Sequence, residues 1–148
     1  MSRWTRFASL KRLADNDEGR AAKSLAESLQ RLEAKQNELE RFRAYAADYE
    51  RTASAGSTDA LRLKNLRDFT RELATVIRQL ERDVDAAKHA FVDNLERWRR
   101  GYRQSKALEQ LVESYRREYL RIEALREQKE TDELASRSGR WGGTLSGS

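Results

Sequence analysis

The chain has no cysteine, no proline, a single histidine and only seven glycines in 148 residues. Without cysteine it can build neither a disulfide framework nor a thiolate metal site. The one histidine, His89, sits beside Lys88 and off the apolar stripes, as a solvated residue on a helix surface does; a proton relay would need an orienting partner in a closed pocket. Long apolar runs are missing too. The basic opening MSRWTRFASLKRLADND lacks the uninterrupted hydrophobic stretch of a signal peptide, and no later segment could span a bilayer. A soluble cytoplasmic protein is expected. No glycine-rich phosphate loop and no spacing of metal ligands appear. The 25 acidic residues are spread among arginines, which suits pairing between neighbouring helical turns better than acid/base catalysis. Neither enzymatic activity, nor a cofactor, nor a metal is expected.

What is present is charge and helical pattern. Hydrophobic residues make up 38% and charged residues 37%, too little apolar material for a thick multilayer core, so one or two elongated helices are the natural solution. The net charge is +5, and residues 97 to 126 alone carry nine basic and four acidic residues, the same +5. Such a segment calls for a partner with acidic patches.

Helical periodicity runs through Phe7, Leu10, Ala14, Ala21, Leu25, Leu29, Leu32, Leu39, Phe42, Ala46, Tyr49 and Ala53. The two steps of four from Ala21 to Leu29 predict a local register shift, a stutter. Asp15, Glu18 and Gly19 could instead cap a new helix at residue 16, although Phe7, Leu10 and Ala14 already lie on a similar stripe. The stretch TASAGSTDALRL, Thr52 to Leu63, then interrupts the pattern. Beyond it, two positions can be followed every seven residues. One series is Leu63, Thr70, Ile77, Val84, Phe91, Trp98, Ser105, Val112, Tyr119; the other is Leu66, Leu73, Leu80, Ala87, Asn94, Gly101, Leu108, Tyr115, Ile122. Together they form the seam of a left-handed coiled coil.

A single seam needs a partner, and the break supplies one. Gly56 can close a helix in the left-handed conformation, and Ser57, Thr58 or Asp59 can cap the next. The fold predicted is all-α: an antiparallel two-helix coiled-coil hairpin with unequal arms, one domain over residues 1–137. Its helices span about 4–54 and 59–135 around a loop at about 55–58, roughly 75 and 115 Å long, with the second outlasting the first by some 25 residues. Asn94 and Gly101 should face Lys11 to Gly19 as weak layers, making the open end looser than the loop end. Residues 138–148 read as a flexible Gly/Ser-rich tail in which Trp141 is an incidental exposed residue.

Two features exceed what a seam requires. Glu38, Phe42, Tyr45 and Tyr49 form one stripe, and Phe69, Leu73, Val76 and Leu80 form another of identical spacing, both flanking the loop. They either thicken a narrow core or make a docking patch. The cluster RWRRGYR, Arg97 to Arg103, interleaves arginine with Trp98 and Tyr102 as a nucleic-acid site can. Trp98 belongs to the seam, however, so a solvated basic face is the better reading.

The leader ASLKRLADNDEGRAAKSL, the aromatic pair in FRAYAADYE, the short break, Phe69, Leu73, Trp98 and finally REQKETDELA together resemble the FliJ family of flagellar type III export proteins, over about residues 7 to 137. The resemblance implies a stalk similar to the rotary stalk of F-type ATPases. It would sit in the hexameric export ATPase, promote its assembly and activity, connect it to the membrane export gate and handle escort chaperones. It implies no nucleic acid partner, a free monomer, and a cytoplasmic location peripheral to the inner membrane at the flagellar base. The gate-contacting surface would map onto Glu38, Phe42, Tyr45, Tyr49, Phe69, Leu73, Val76 and Leu80. Here the chain departs from the enterobacterial pattern, which usually has glutamine, leucine, alanine and histidine where it has Glu38, Phe42, Val76 and Leu80. The ring would take the open end, both helix termini and the basic overhang from Arg97 to Arg126, with Arg97, Arg99, Arg100, Arg103, Arg116, Arg117 and Arg121 as its contacts. Two other readings remain: the equivalent stalk of a virulence injectisome, and a basic coiled coil that binds nucleic acid.

Overall fold

In the computed structural model, residues 2–56 and 59–145 are described, with side chains to residue 139. Two helices account for nearly all of them: α1, Arg3–Ala55, and α2, Ala60–Leu145, packed against each other as an all-α hairpin. Both starts are capped in the same way. Ser2 Oγ accepts the Thr5 amide at 3.3 Å, and Asp59 Oδ1 accepts the Arg62 amide at 2.8 Å, each satisfying a donor that the first turn leaves open. Asp59 is therefore the cap at the break; Ser57 and Thr58 lie outside the described residues. Gly56 does not close α1 in a left-handed conformation, because no described glycine has a positive φ.

The chain divides into two compact units, residues 17–101 and residues 1–16 with 102–148. In the first, Leu32, Leu39, Leu80 and Val84 are buried as a core, with Phe42, Ile77, Ala87 and Phe91 packed on it. Lys35 to Asp83 at 3.9 Å and Arg43 to Glu81 at 3.3 Å bridge the two helices at its edges. These pairs are solvent-exposed and each contributes about 0–1 kcal/mol, whereas a single buried leucine contributes about 1.5–3 kcal/mol. The apolar seam holds this unit together. In the second unit, Trp4 packs on Tyr119 with ring centroids 5.4 Å apart, Phe7 on Tyr115 at 5.0 Å, and Ala14 is buried.

The heptad series predicted for α2 is the series that faces α1. Every member from Leu63 to Tyr115 is buried or half-buried, and among the other described α2 residues only Ala74, Asp83, Leu95 and Glu123 are. On α1 the structure corrects the predicted stutter. Leu29 and Leu10 are 40% and 43% exposed, whereas Ser28 is fully buried and Lys11 is half-buried. The covered positions follow an unbroken seven-residue period through Trp4, Phe7, Lys11, Ala14, Glu18, Ala21, Leu25, Ser28, Leu32, Lys35, Leu39 and Phe42. Four of these are polar, and apolar counting passes over them. Ser28 satisfies its hydroxyl by donating to the Leu25 carbonyl at 2.8 Å in its own helix, and the lysine stems cover the seam while their ammonium groups reach its edge. A helix start at residue 16 is likewise overturned, since α1 is continuous there.

Gly101 lies over Glu18, within the stretch of α1 predicted to face it. At the other end of α2, helix continues to Leu145, past residue 135 where the sequence predicts its end and into the predicted tail. Residues 124–139 are all exposed, so this part of α2 rests on local backbone hydrogen bonds, and the good helix formers of ALREQKETDELAS, residues 124–136, sustain its first turns. The side chain of Trp141 is outside the described set.

Candidate functional site

The loop end of the first unit gathers the aromatic stripes. Tyr49 on α1 and Phe69 on α2 meet across the seam with centroids 4.6 Å apart, and Phe42 meets Tyr45 edge to face at 5.9 Å. Tyr45 is 52% exposed, and Tyr49, Phe69 and Val76 remain 37–40% exposed, so four of the eight candidates present apolar surface to solvent. Phe42 and Glu38 are half-buried; Phe42 packs on the core and Glu38 is 3.5 Å from Lys35. Leu73 and Leu80 are core residues, buried at the heptad positions predicted for them, so within the stripe they support the surface rather than form it. The patch also extends beyond the two stripes. Thr52, Arg62, Asn65 and Leu66 join Tyr49 and Phe69 around a shallow groove beside the turn. Leu66 was visible only as a seam residue, and its neighbours one turn away carried no signal.

The arginine candidates are all exposed. In the first unit, Arg97, Arg99 and Arg100 make no ion pair among the described residues, and Trp98 between them is half-buried and donates its indole N–H to Glu18 at 2.9 Å. A ring held in this way is not presented for base stacking. In the second unit, Arg103 is exposed, Arg116 lies 3.7 Å from Glu113, and Arg117 and Arg121 make no ion pair among the described residues. The segment from Arg97 to Arg126 is not an overhang for most of its length. It runs alongside α1 through Trp98 with Glu18 in one unit and Tyr115 with Phe7 in the other, and α2 becomes unpartnered only beyond about Ile122.

The second unit also carries a polar layer beside its seam. Asp15 accepts from Lys11 Nζ at 2.8 Å and from the Ser105 hydroxyl. Those two bonds, the lysine's first, hold its carboxyl below the usual aspartate range against a smaller opposing effect of burial. Lys106 is held above its ordinary value by its bond to Glu109. His89 is exposed, with ring nitrogen Nδ1 3.1 Å from the Asp85 carbonyl oxygen. Among the described residues no cluster of side chains could hold a metal ion, and no helix is long and apolar enough to cross a membrane.

Two capped helices packed through a heptad seam and carrying aromatic and cationic surface define an all-α helical-hairpin protein. The chain belongs to the FliJ family, described as flagellar FliJ protein, whose model matches residues 2–142. It is thereby a component of flagellar type III export, in a family of non-catalytic members. No curated protein and no solved structure matches it.

Proposed function

We propose that the chain is the stalk of the flagellar export ATPase: it enters the hexameric ring, promotes ring assembly and hydrolysis, docks on the membrane export gate and handles escort chaperones. The observation that carries this reading is the solvent-facing aromatic set of Tyr45, Tyr49 and Phe69, contributed by both helices at the turn and exposed beyond what their seam needs. Exposed aromatics on a rigid element anchor interfaces well, because little side-chain entropy is lost on binding. The gate surface is therefore Tyr45, Tyr49, Phe69 and Val76, with Phe42 and Glu38 at its border and Leu73 and Leu80 as its support. The arginines at 97, 99, 100, 103, 116, 117 and 121 face acidic surface of the ring. Hydrolysis belongs to the ring, and the coiled coil passes displacement to the gate.

The test separates the two surfaces. Alanine at Tyr45, Tyr49 and Phe69 together should weaken binding to the purified cytoplasmic part of the gate while stimulation of the ATPase persists. Charge reversal at Arg99, Arg100 and Arg117 should do the opposite. Equal loss of both activities in variants that keep wild-type helicity would overturn the assignment.

A further inference from the structure

Within the unit of residues 17–101 the seam has two edges. Tyr45, Phe69 and Val76 lie on the edge that Glu38 and Asp83 continue by steps of seven, where Lys35 meets both carboxylates. The other edge is polar toward the turn: Gln36, Glu40 and Arg43 on α1 and Glu81, Asp85 and Lys88 on α2 line one open groove, with Arg43 and Glu81 paired across it. These positions also recur every seven residues, so the same edge continues through Leu29, Ala26 and Ala22 on α1 and through Val92, Leu95 and Arg99 on α2. Beyond Glu33 they carry no carboxylate within the unit. Leu29 is 40% exposed and Val92 59% exposed, and Leu95 is half-buried although it stands outside both heptad series. Lys88 and Arg99, at the two ends of this stretch of α2, make no ion pair among the described residues.

This surface is apolar along its middle and cationic at both ends, and neither the seam nor the aromatic patch uses it. From Lys88 to Arg99 it runs for about three helical turns. One face of a partner helix fits such a strip, because residues spaced by three and four can seat against the positions that flank a heptad seam. Basic flanks on that helix would meet like charge at Lys88 and Arg99, whereas acidic flanks meet their complement. We propose that this edge docks an amphipathic helix with acidic flanks, carried by an export chaperone, as a third helix beside the hairpin; the docking rests on the chaperone handling proposed above, to which no residues have been assigned. The gate and the ring have their surfaces elsewhere, apart from Arg99, which the ring shares. With the aromatic patch on the opposite edge, one chain can hold chaperone and gate together.

Titration of the full chain with purified escort chaperones, one at a time and followed by calorimetry, tests the docking. At least one should bind, and more weakly as salt is added. L29E/V92E should raise its dissociation constant about tenfold or more, since two apolar contacts are lost and two like charges face the acidic flanks. K88E should raise it about threefold at low salt and far less at high salt, as an exposed ion pair does. All three residues are exposed, so both variants should keep wild-type helicity and wild-type binding to the cytoplasmic part of the gate. Chaperone binding that is unchanged in L29E/V92E overturns the proposal and leaves chaperone handling intact. A wild-type chain that binds none of the chaperones overturns that handling and the proposal with it. Self-association of the wild type that L29E/V92E abolishes would give the edge to a second copy, and loss of ATPase stimulation with chaperone binding intact would give it to the ring; either result sinks the proposal.

Discussion

Gly101 packs against the backbone of Glu18, such that a Cβ placed on the glycine would sit 3.6 Å from Glu18 Cα. That is an ordinary contact, so the helices do not require glycine there. Gly101→Ala should therefore stabilise the hairpin by about 1 kcal/mol through helix propensity alone. The matching rise in melting temperature is about 3 °C for a chain of this size. Gly19→Ala, whose Cβ would meet nothing within 4 Å, is the companion. If Gly19→Ala stabilises and Gly101→Ala destabilises, the two backbones need the close approach after all.

Burial separates leucines that look alike in the sequence. Leu39→Ala should cost about 2–5 kcal/mol by opening a cavity in the seam. Leu29→Ala, on a side chain that is 40% exposed, should cost well under half of that. Urea unfolding followed by circular dichroism would rank them, and equal losses would restore the stutter that the buried Ser28 replaces.

At the turn, Asp59→Ala should destabilise by about 1 kcal/mol, because the Arg62 amide loses its acceptor. Asp59→Asn should retain most of that stability, since the amide oxygen can still accept. Chemical denaturation of the three proteins in parallel checks the order.

Asp15 makes a statement about acid. Its folded-state pKa is depressed by Lys11 and Ser105, so its stabilising contribution is present above the unfolded aspartate value and is lost as pH falls through the lower folded value. Melting temperatures of wild type and Asp15→Asn should therefore differ above about pH 4 and converge below it. An NMR titration of the Asp15 carboxyl that gave an ordinary or raised midpoint would contradict the geometry.

The α2 seam was legible because most of its layers are apolar and keep one seven-residue period, so Leu73, Leu80 and Val84 could be placed inward by spacing alone. On α1 the same period is carried partly by Lys11, Glu18, Ser28 and Lys35, and a count of apolar residues slid from Ser28 to Leu29. Polarity is a poor guide to position where a hydroxyl can bond its own helix or a long stem can lie along a seam. The docking patch was half legible for a related reason. Aromatic excess pointed to Tyr45, Tyr49 and Phe69, and the heptad series already set Leu73 and Leu80 apart from exposed Val76, but Thr52, Arg62 and Asn65 carried no pattern that would place them at the groove.

Beyond Glu123, α2 has only its own turns to hold it, with residues 124–139 all exposed. Its amides should trade hydrogen for deuterium far sooner than those beneath Leu39 and Leu80, since a lone helical turn opens without breaking any packing. Whatever captures this segment must supply the side-chain neighbours that the fold withholds, and slowed exchange there would mark the moment of capture.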